Sequence, residues 1–146
     1  MRIINHFTSF QEVPDNLSLC FSVFGCPHKC KNCSWAGEKK FMNLSITDIE
    51  KILDKYKDYV SCICFLGGEW EPDFEEILDL CNKKNLLTCL YTGADKFENQ
   101  EILSKLTFIK VGHYDESLGG LQSKTTNQRF IDLRTYTCLN DKFLKD

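Results

Sequence analysis

Strand-like and helix-like stretches alternate along this chain from Leu17 onward, and that alternation is what a parallel sheet with crossover helices requires. Leu17 to Phe24, rich in Leu, Phe and Val and stopped by Gly25, reads as the first strand. Ile46 to Tyr59 reads as a helix, with Ser45 as N-cap, Asp48 placed as in a capping box, and Ile46, Ile49, Leu53 and Tyr56 on one face. Val60 to Leu66, closed by Gly67-Gly68, is a short apolar run with β-branched residues and suits a buried strand. Pro72 and Asp73 open a second helix, whose Phe74, Ile77, Leu78 and Cys81 recur at helical spacing and which ends near Asn85. Leu86 to Tyr91 reads as a strand, Phe97 to Leu106 as a short helix, and Thr107 to Val111 as a strand closed by Gly112. Arg129 to Leu133 is a further strand or a hairpin arm. The first sixteen residues stand outside this rhythm, and the tail after Leu133 carries no assignable pattern.

A chain of 146 residues is the size of one domain, spanning 1–146. A closed eight-unit barrel takes about 250 residues, so this length supplies about half to two thirds of such a ring. The expected fold is α/β: an open, curved, partial (β/α) barrel with a parallel sheet and outer helices. Parallel strands need cover on both faces, so an uncovered side or mouth would be a natural docking surface for a large partner.

With a net charge of −3 and no long Lys/Arg run, the chain offers no nucleic-acid surface. No stretch approaches a membrane span, and Met1 to His6 lacks the features of a secretory signal, so the chain reads as cytosolic. Nine cysteines without a sign of export argue against a disulfide framework and for metal ligation by some of them.

Between Gly25 and about Asn43 lies a polar loop longer than most connections, and long loops in compact domains are usually functional. It begins Cys26-Pro27-His28-Lys29-Cys30-Lys31-Asn32-Cys33, a C-x3-C-x2-C spacing whose thiolates, Cys26, Cys30 and Cys33, can converge on one metal centre. One reading is a structural zinc site, with Cys20, His28 or a distant cysteine as the fourth ligand. The other is a cubane 4Fe-4S cluster, in which three cysteines leave one iron open to a small molecule. The other cysteines read as core residues: Cys62 and Cys64 alternate along a strand, Cys81 sits on a helix's apolar stripe, Cys89 lies in a strand and Cys20 reads likewise, while Cys138 is undecided.

The cysteine spacing resembles that of the radical S-adenosylmethionine enzymes, and further motifs agree with it in order. Gly67-Gly68-Glu69 after the second strand is similar to that family's GGE motif; the glycines permit close backbone approach, and a carboxylate can pair with an ammonium. The resemblance implies that Cys26, Cys30 and Cys33 hold a 4Fe-4S cluster. It also implies that Gly67, Gly68 and Glu69 hold the methionine amino group of S-adenosyl-L-methionine, which the free iron chelates and the reduced cluster cleaves to an adenosyl radical. Thr92 in Tyr91-Thr92-Gly93 suits a hydrogen bond to a ribose or carboxylate, or equally a turn or helix cap. In parallel βα folds ligands sit at the carboxyl ends of the strands, so the loops bearing the cysteines, Glu69, Thr92 and His113 are expected to meet at one rim, where His113 either lines the site or is a lone surface histidine.

Within that superfamily, the small size, the Gly-Cys-Pro-His-Lys-Cys opening of the loop, Lys110-Val111-Gly112 and the segment Gly119 to Arg129 with its Asn127-Gln128-Arg129 triplet resemble the activating proteins of anaerobic ribonucleoside-triphosphate reductase. The resemblance runs from Phe24 to Phe130. It implies hydrogen abstraction from a glycine of the large reductase subunit, and a low-potential donor such as flavodoxin. Without it, Thr125 to Arg129 reads as a polar turn leading into a strand. Two departures stand out. Lys31 occupies a position that is commonly aromatic in the family, where Trp35 is a nearby substitute, and no glycine-rich motif follows a fifth strand. The alternatives are an activase of another glycyl-radical enzyme, a small-molecule enzyme of the deazaguanine synthase kind, and a non-catalytic zinc or electron-carrier module.

Overall fold

A computed structural model describes residues 1–27 and 40–144. Its strands are β1 (Arg2–Ser9), β2 (Ser18–Val23), β3 (Met42–Asn43), β4 (Cys62–Leu66), β5 (Leu87–Tyr91), β6 (Phe108–Val111), β7 (Arg129–Asp132) and β8 (Thr137–Cys138). The helices are α1 (Ile46–Tyr56), α2 (Phe74–Lys83) and α3 (Gln100–Leu103), and a 3-10 turn spans Asn140–Phe143. Among the described residues the strands form one sheet in the order β3-β1-β2-β4-β5-β6-β7-β8, open at both ends.

The centre, β2-β4-β5-β6, is parallel, as the alternating pattern requires. The flanks are antiparallel, so the expected all-parallel sheet is corrected to a mixed one. Arg2–Ser9, which carries no signal in the sequence, pairs with β2. A register shift between Ile3 and Asn5 disrupts its alternation, and its middle is exposed, so it lacks the period that marks a half-buried strand. Arg129–Asp132 is a hairpin arm rather than a parallel strand, joined to β8 by a turn. In that turn Asp132 Oδ1 accepts from the Arg134 N–H at 2.9 Å and Tyr136 adopts φ 56°, with no Gly or Pro to announce it.

Local signals place the helices. The Ser45 side chain accepts from the Asp48 N–H at 3.1 Å while Asp48 accepts from the Ser45 N–H at 3.0 Å, a complete capping box. This helix ends at Tyr56 rather than Tyr59, and Tyr59 lies exposed beyond the packed stripe. α2 ends at Lys83 in a Schellman motif: Asn85 is left-handed at φ 61°, its N–H donates to the Asn82 carbonyl and that of Leu86 to Cys81. α3 shrinks to Gln100–Leu103, started by Asn99 Oδ1 accepting from the Ile102 N–H.

The sheet divides the core in two. On one face Leu19, Phe21, Ile63, Phe65 and Ile109 pack against Ile49 and Leu53 of α1 and Phe74, Ile77 and Leu78 of α2. On the other, Cys20, Cys64 and Cys89 stand in one row across β2, β4 and β5, with Cys62 beside them and Val13, Leu121, Phe130, Leu139 and Phe143 around them. A hydrogen bond with Cys64 and burial push the Cys20 thiol up, burial pushes Cys64 and Cys89 up, and burial raises Cys62 and Cys81 each to about 12. These are inert protonated thiols, as the core reading expects. Iodoacetamide at neutral pH should therefore label exposed Cys138 within minutes. Cys20, Cys62, Cys64, Cys81 and Cys89 should react at least ~1,000-fold more slowly until denaturant is added, as read by peptide mass spectrometry.

Candidate functional site

In a parallel βα arrangement the loops after the strands gather at one rim. Cys26, half-buried, follows β2; Gly67, Gly68 and Glu69 follow β4; Thr92 follows β5; Gly112 and His113 follow β6. Cys30 and Cys33, with Lys31 and Trp35, lie outside the described residues. The strand ends are tied laterally by backbone: the Gly67 N–H donates to the Tyr91 carbonyl at 2.9 Å and that of Thr92 to Lys110 at 2.9 Å.

Gly67 and Gly68 have φ of 85° and 112°, a backbone region that side chains rarely adopt. A Cβ on Gly67 would lie 2.5 Å from Cη2 of Trp70, and one on Gly68 would meet Val23 at 3.1 Å. The pair turns the chain sharply at the end of β4 and delivers Glu69 to the end of β5. There Thr92, 1% exposed, donates from Oγ1 to Glu69 Oε1 at 3.0 Å and accepts from the Ala94 N–H at 3.1 Å. Thr92 thus serves both as a turn residue and as the partner of the candidate carboxylate.

His113 is 47% exposed, and its Nδ1 lies 2.7 Å from Asp95 Oδ1, an atom that also accepts the His113 N–H at 3.1 Å. With Tyr114, Asp115, Glu116 and Ser117 it lines an open cavity of about 430 Å³ beside the rim. Asn127 Nδ2 donates to the His113 carbonyl at 3.1 Å and Gln128 Nε2 to that of Gly112 at 3.4 Å, so this stretch of the Asn127-Gln128-Arg129 triplet braces the loop after β6.

Sequence reasoning passed over Trp70, Arg2 and Glu71 here and met Lys110 only as part of the Lys110-Val111-Gly112 motif. Lys110 is 4% exposed, and its ammonium donates to the carbonyls of Thr92 and Gly112 at 3.0 Å each, stitching the ends of β5 and β6. Its signal was a cation in the middle of an apolar strand. Trp70 Nε1 donates to the Phe24 carbonyl at 2.8 Å. Arg2 Nε and Nη2 fork onto both oxygens of Glu71, at 3.2 and 2.8 Å, while the Arg2 N–H donates to Glu71 Oε1 at 2.6 Å. No local pattern marks this pairing, since the partners are 69 residues apart.

Burial pushes the Glu71 carboxyl up, but the hydrogen bonds from Arg2 and the guanidinium charge outweigh it, and the group lies below its ordinary 4.5. A carboxylate lowered by folding stabilises the native state above its unfolded pKa, and that contribution is lost as pH falls through the lower folded value. Glu71→Gln should therefore lower Tm at pH 7 by on the order of 5 °C, and the gap from the parent should close below the folded pKa of Glu71. Thermal melts from pH 7 to 2 check both limbs.

The fold and rim together define a mixed α/β protein in which, among the described residues, Cys26, Glu69, Thr92 and His113 lie at the carboxyl ends of a parallel sheet centre. No family model matches the chain, and no curated protein matches it. Among the described residues no set of three or more His, Cys, Asp or Glu side chains is arranged to hold a metal, and no helix is long and apolar enough to cross a membrane.

Proposed function

We propose that this chain is a radical S-adenosylmethionine activase, folded as an open partial barrel, that installs a glycyl radical on the large subunit of anaerobic ribonucleoside-triphosphate reductase. The observation that carries the reading is the meeting of Glu69 and Thr92 on the rim where the C-x3-C-x2-C loop begins. A Gly-Gly turn presenting a carboxylate on the rim where a three-thiolate loop begins is the donor set that a 4Fe-4S cluster and an amino-acid-bearing cosubstrate require. Cys26, Cys30 and Cys33 would hold the cluster, and Glu69 the ammonium of S-adenosylmethionine. Bound there, the cofactors would supply one-electron reductive cleavage of the sulfonium and, through it, hydrogen abstraction from the partner's glycine.

The chain's own residues supply placement. Gly67 and Gly68 make the positive-φ turn that carries Glu69 to the rim, Thr92 orients Glu69, and Lys110 holds the β5 and β6 ends together. The reduced, buried thiols suit the cytosol, where a low-potential donor such as flavodoxin would serve.

The test is anaerobic reconstitution with iron and sulfide, then reduction with S-adenosylmethionine and the reductase subunit. Expected are about four irons per chain, 5'-deoxyadenosine and a glycyl-radical signal on the subunit. A colourless zinc protein, or a cluster that ignores S-adenosylmethionine, overturns the reading. Glu69→Ala should keep the iron and weaken S-adenosylmethionine binding about 30-fold, or about 2 kcal/mol, by calorimetry; unchanged affinity removes Glu69 from the site.

A further inference from the structure

The base of the cysteine loop and the loop bearing Glu69 are joined by contacts that the cofactor chemistry does not itself call for. Phe24 and Phe41, which flank the segment from Gly25 to Lys40, pack with ring centroids 4.4 Å apart. The Arg2 guanidinium lies 5.3 Å from the first ring centroid and 6.0 Å from the second. Arg2 is at the same time forked onto Glu71, two residues past Glu69, and its carbonyl accepts the Phe24 N–H at 2.9 Å. Trp70 closes the circuit: its indole donates to the Phe24 carbonyl, and its ring fills the space that a Cβ on Gly67 would take. A Cβ on Gly25 would meet Arg2 Nη2 at 3.1 Å and Trp70 Nε1 at 3.3 Å, so the residue before Cys26 is seated against both.

We propose that Arg2, Trp70 and Glu71 form a clamp that fixes the Glu69 loop against the base of the cysteine loop, and so act as positioning residues for S-adenosylmethionine; this rests on the function proposed above. The cosubstrate must reach a metal held by one loop and a carboxylate held by the other. A bidentate guanidinium and an indole bond resist sliding of one against the other better than apolar packing does, because their geometry is directional.

Trp70→Phe removes one indole N–H and keeps a ring against Gly67, while Glu71→Gln keeps the shape and removes the charge. Two measurements decide the matter. In the protein as purified, without cofactor, Glu71→Gln should speed hydrogen exchange of the Phe24 to Cys26 amides about tenfold beyond the rise that loss of global stability gives the β5 amides. Equal exchange overturns the clamp whatever the function. In the reconstituted protein, both variants should hold the parent's iron content but bind S-adenosylmethionine about tenfold more weakly, with a reduced change in the cluster's EPR signal on its addition. A merely structural role would lower iron content and Tm together and leave the affinity of the loaded fraction untouched. Arg2→Lys, which keeps the charge without the fork, should weaken binding to a similar extent. If the parent loads a cluster and binds the cosubstrate and the variants match it, the positioning role fails alone. If the parent does neither, the functional reading and the positioning role fail together, while exchange still decides whether the two loops are coupled.

Discussion

Replacing Cys26 with alanine will yield a folded protein that retains less than about a tenth of the parent's iron after anaerobic reconstitution and makes 5'-deoxyadenosine at least ~1,000-fold more slowly. Cys26 sits half-buried just beyond the end of β2, outside the row of fully buried thiols, so the change costs the core nothing and the melting temperature should move by no more than a few degrees. With Cys26 gone only two thiolates of the loop remain, and a cubane with two open irons is not retained. Iron and sulfide assays with product chromatography check this. A full iron load in the variant would remove Cys26 from the ligand set. The same result would favour a centre built by other side chains.

Gly67→Ala should have the largest effect on stability of any single added methyl group at the rim. At φ 85° an L-residue costs about 1–2 kcal/mol. The new methyl carbon would also stand 2.5 Å from the Trp70 ring, which has to swing away and give up its bond to the Phe24 carbonyl, a further 1–3 kcal/mol or so. Together these amount to about 3 kcal/mol, or a fall in Tm of roughly 10 °C for a chain of this size. Gly120→Ala is the control. Its Cβ would find nothing nearer than 3.5 Å, so its melting temperature should stay within about 2 °C of the parent's. If the two variants melt alike, the Trp70 contact does not hold the turn.

The features of the fold that were legible beforehand share a short reach. The capping box at Ser45, the end of α2 at Asn85 and the apolar stripes of α1 and α2 depend on residues within a turn or two of one another, and each stands where its pattern places it. Strand existence was legible for β2, β4, β5 and β6, whose continuous apolar runs mark buried parallel strands, but not for the two-residue β3, which lies at the end of the segment read as a polar loop. Among the antiparallel additions β7 was legible as a further strand or a hairpin arm, while β1 and β8 were not. β1 hides its alternation behind a bulge, and the β7–β8 hairpin turns on the Asp132 side chain instead of a glycine. At the rim, the candidates themselves were visible, as was the expectation that Glu69 and Thr92 share one edge of the sheet. Their direct hydrogen bond, across 23 residues of chain, was not.

The order and kind of the central elements, the burial of the strand cysteines and the positions of Gly67, Gly68 and Glu69 at a strand end were therefore written in the amino-acid order alone, because periodicity and turn chemistry act between near neighbours. Tertiary structure decided which distant groups face one another. Arg2 meets Glu71, Trp70 meets Phe24, Lys110 bridges two strand ends, and Cys20, Cys64 and Cys89 line up in one row. Each of these depends on the register of whole strands across the sheet, a quantity set by the summed packing of both faces and carried by no single segment.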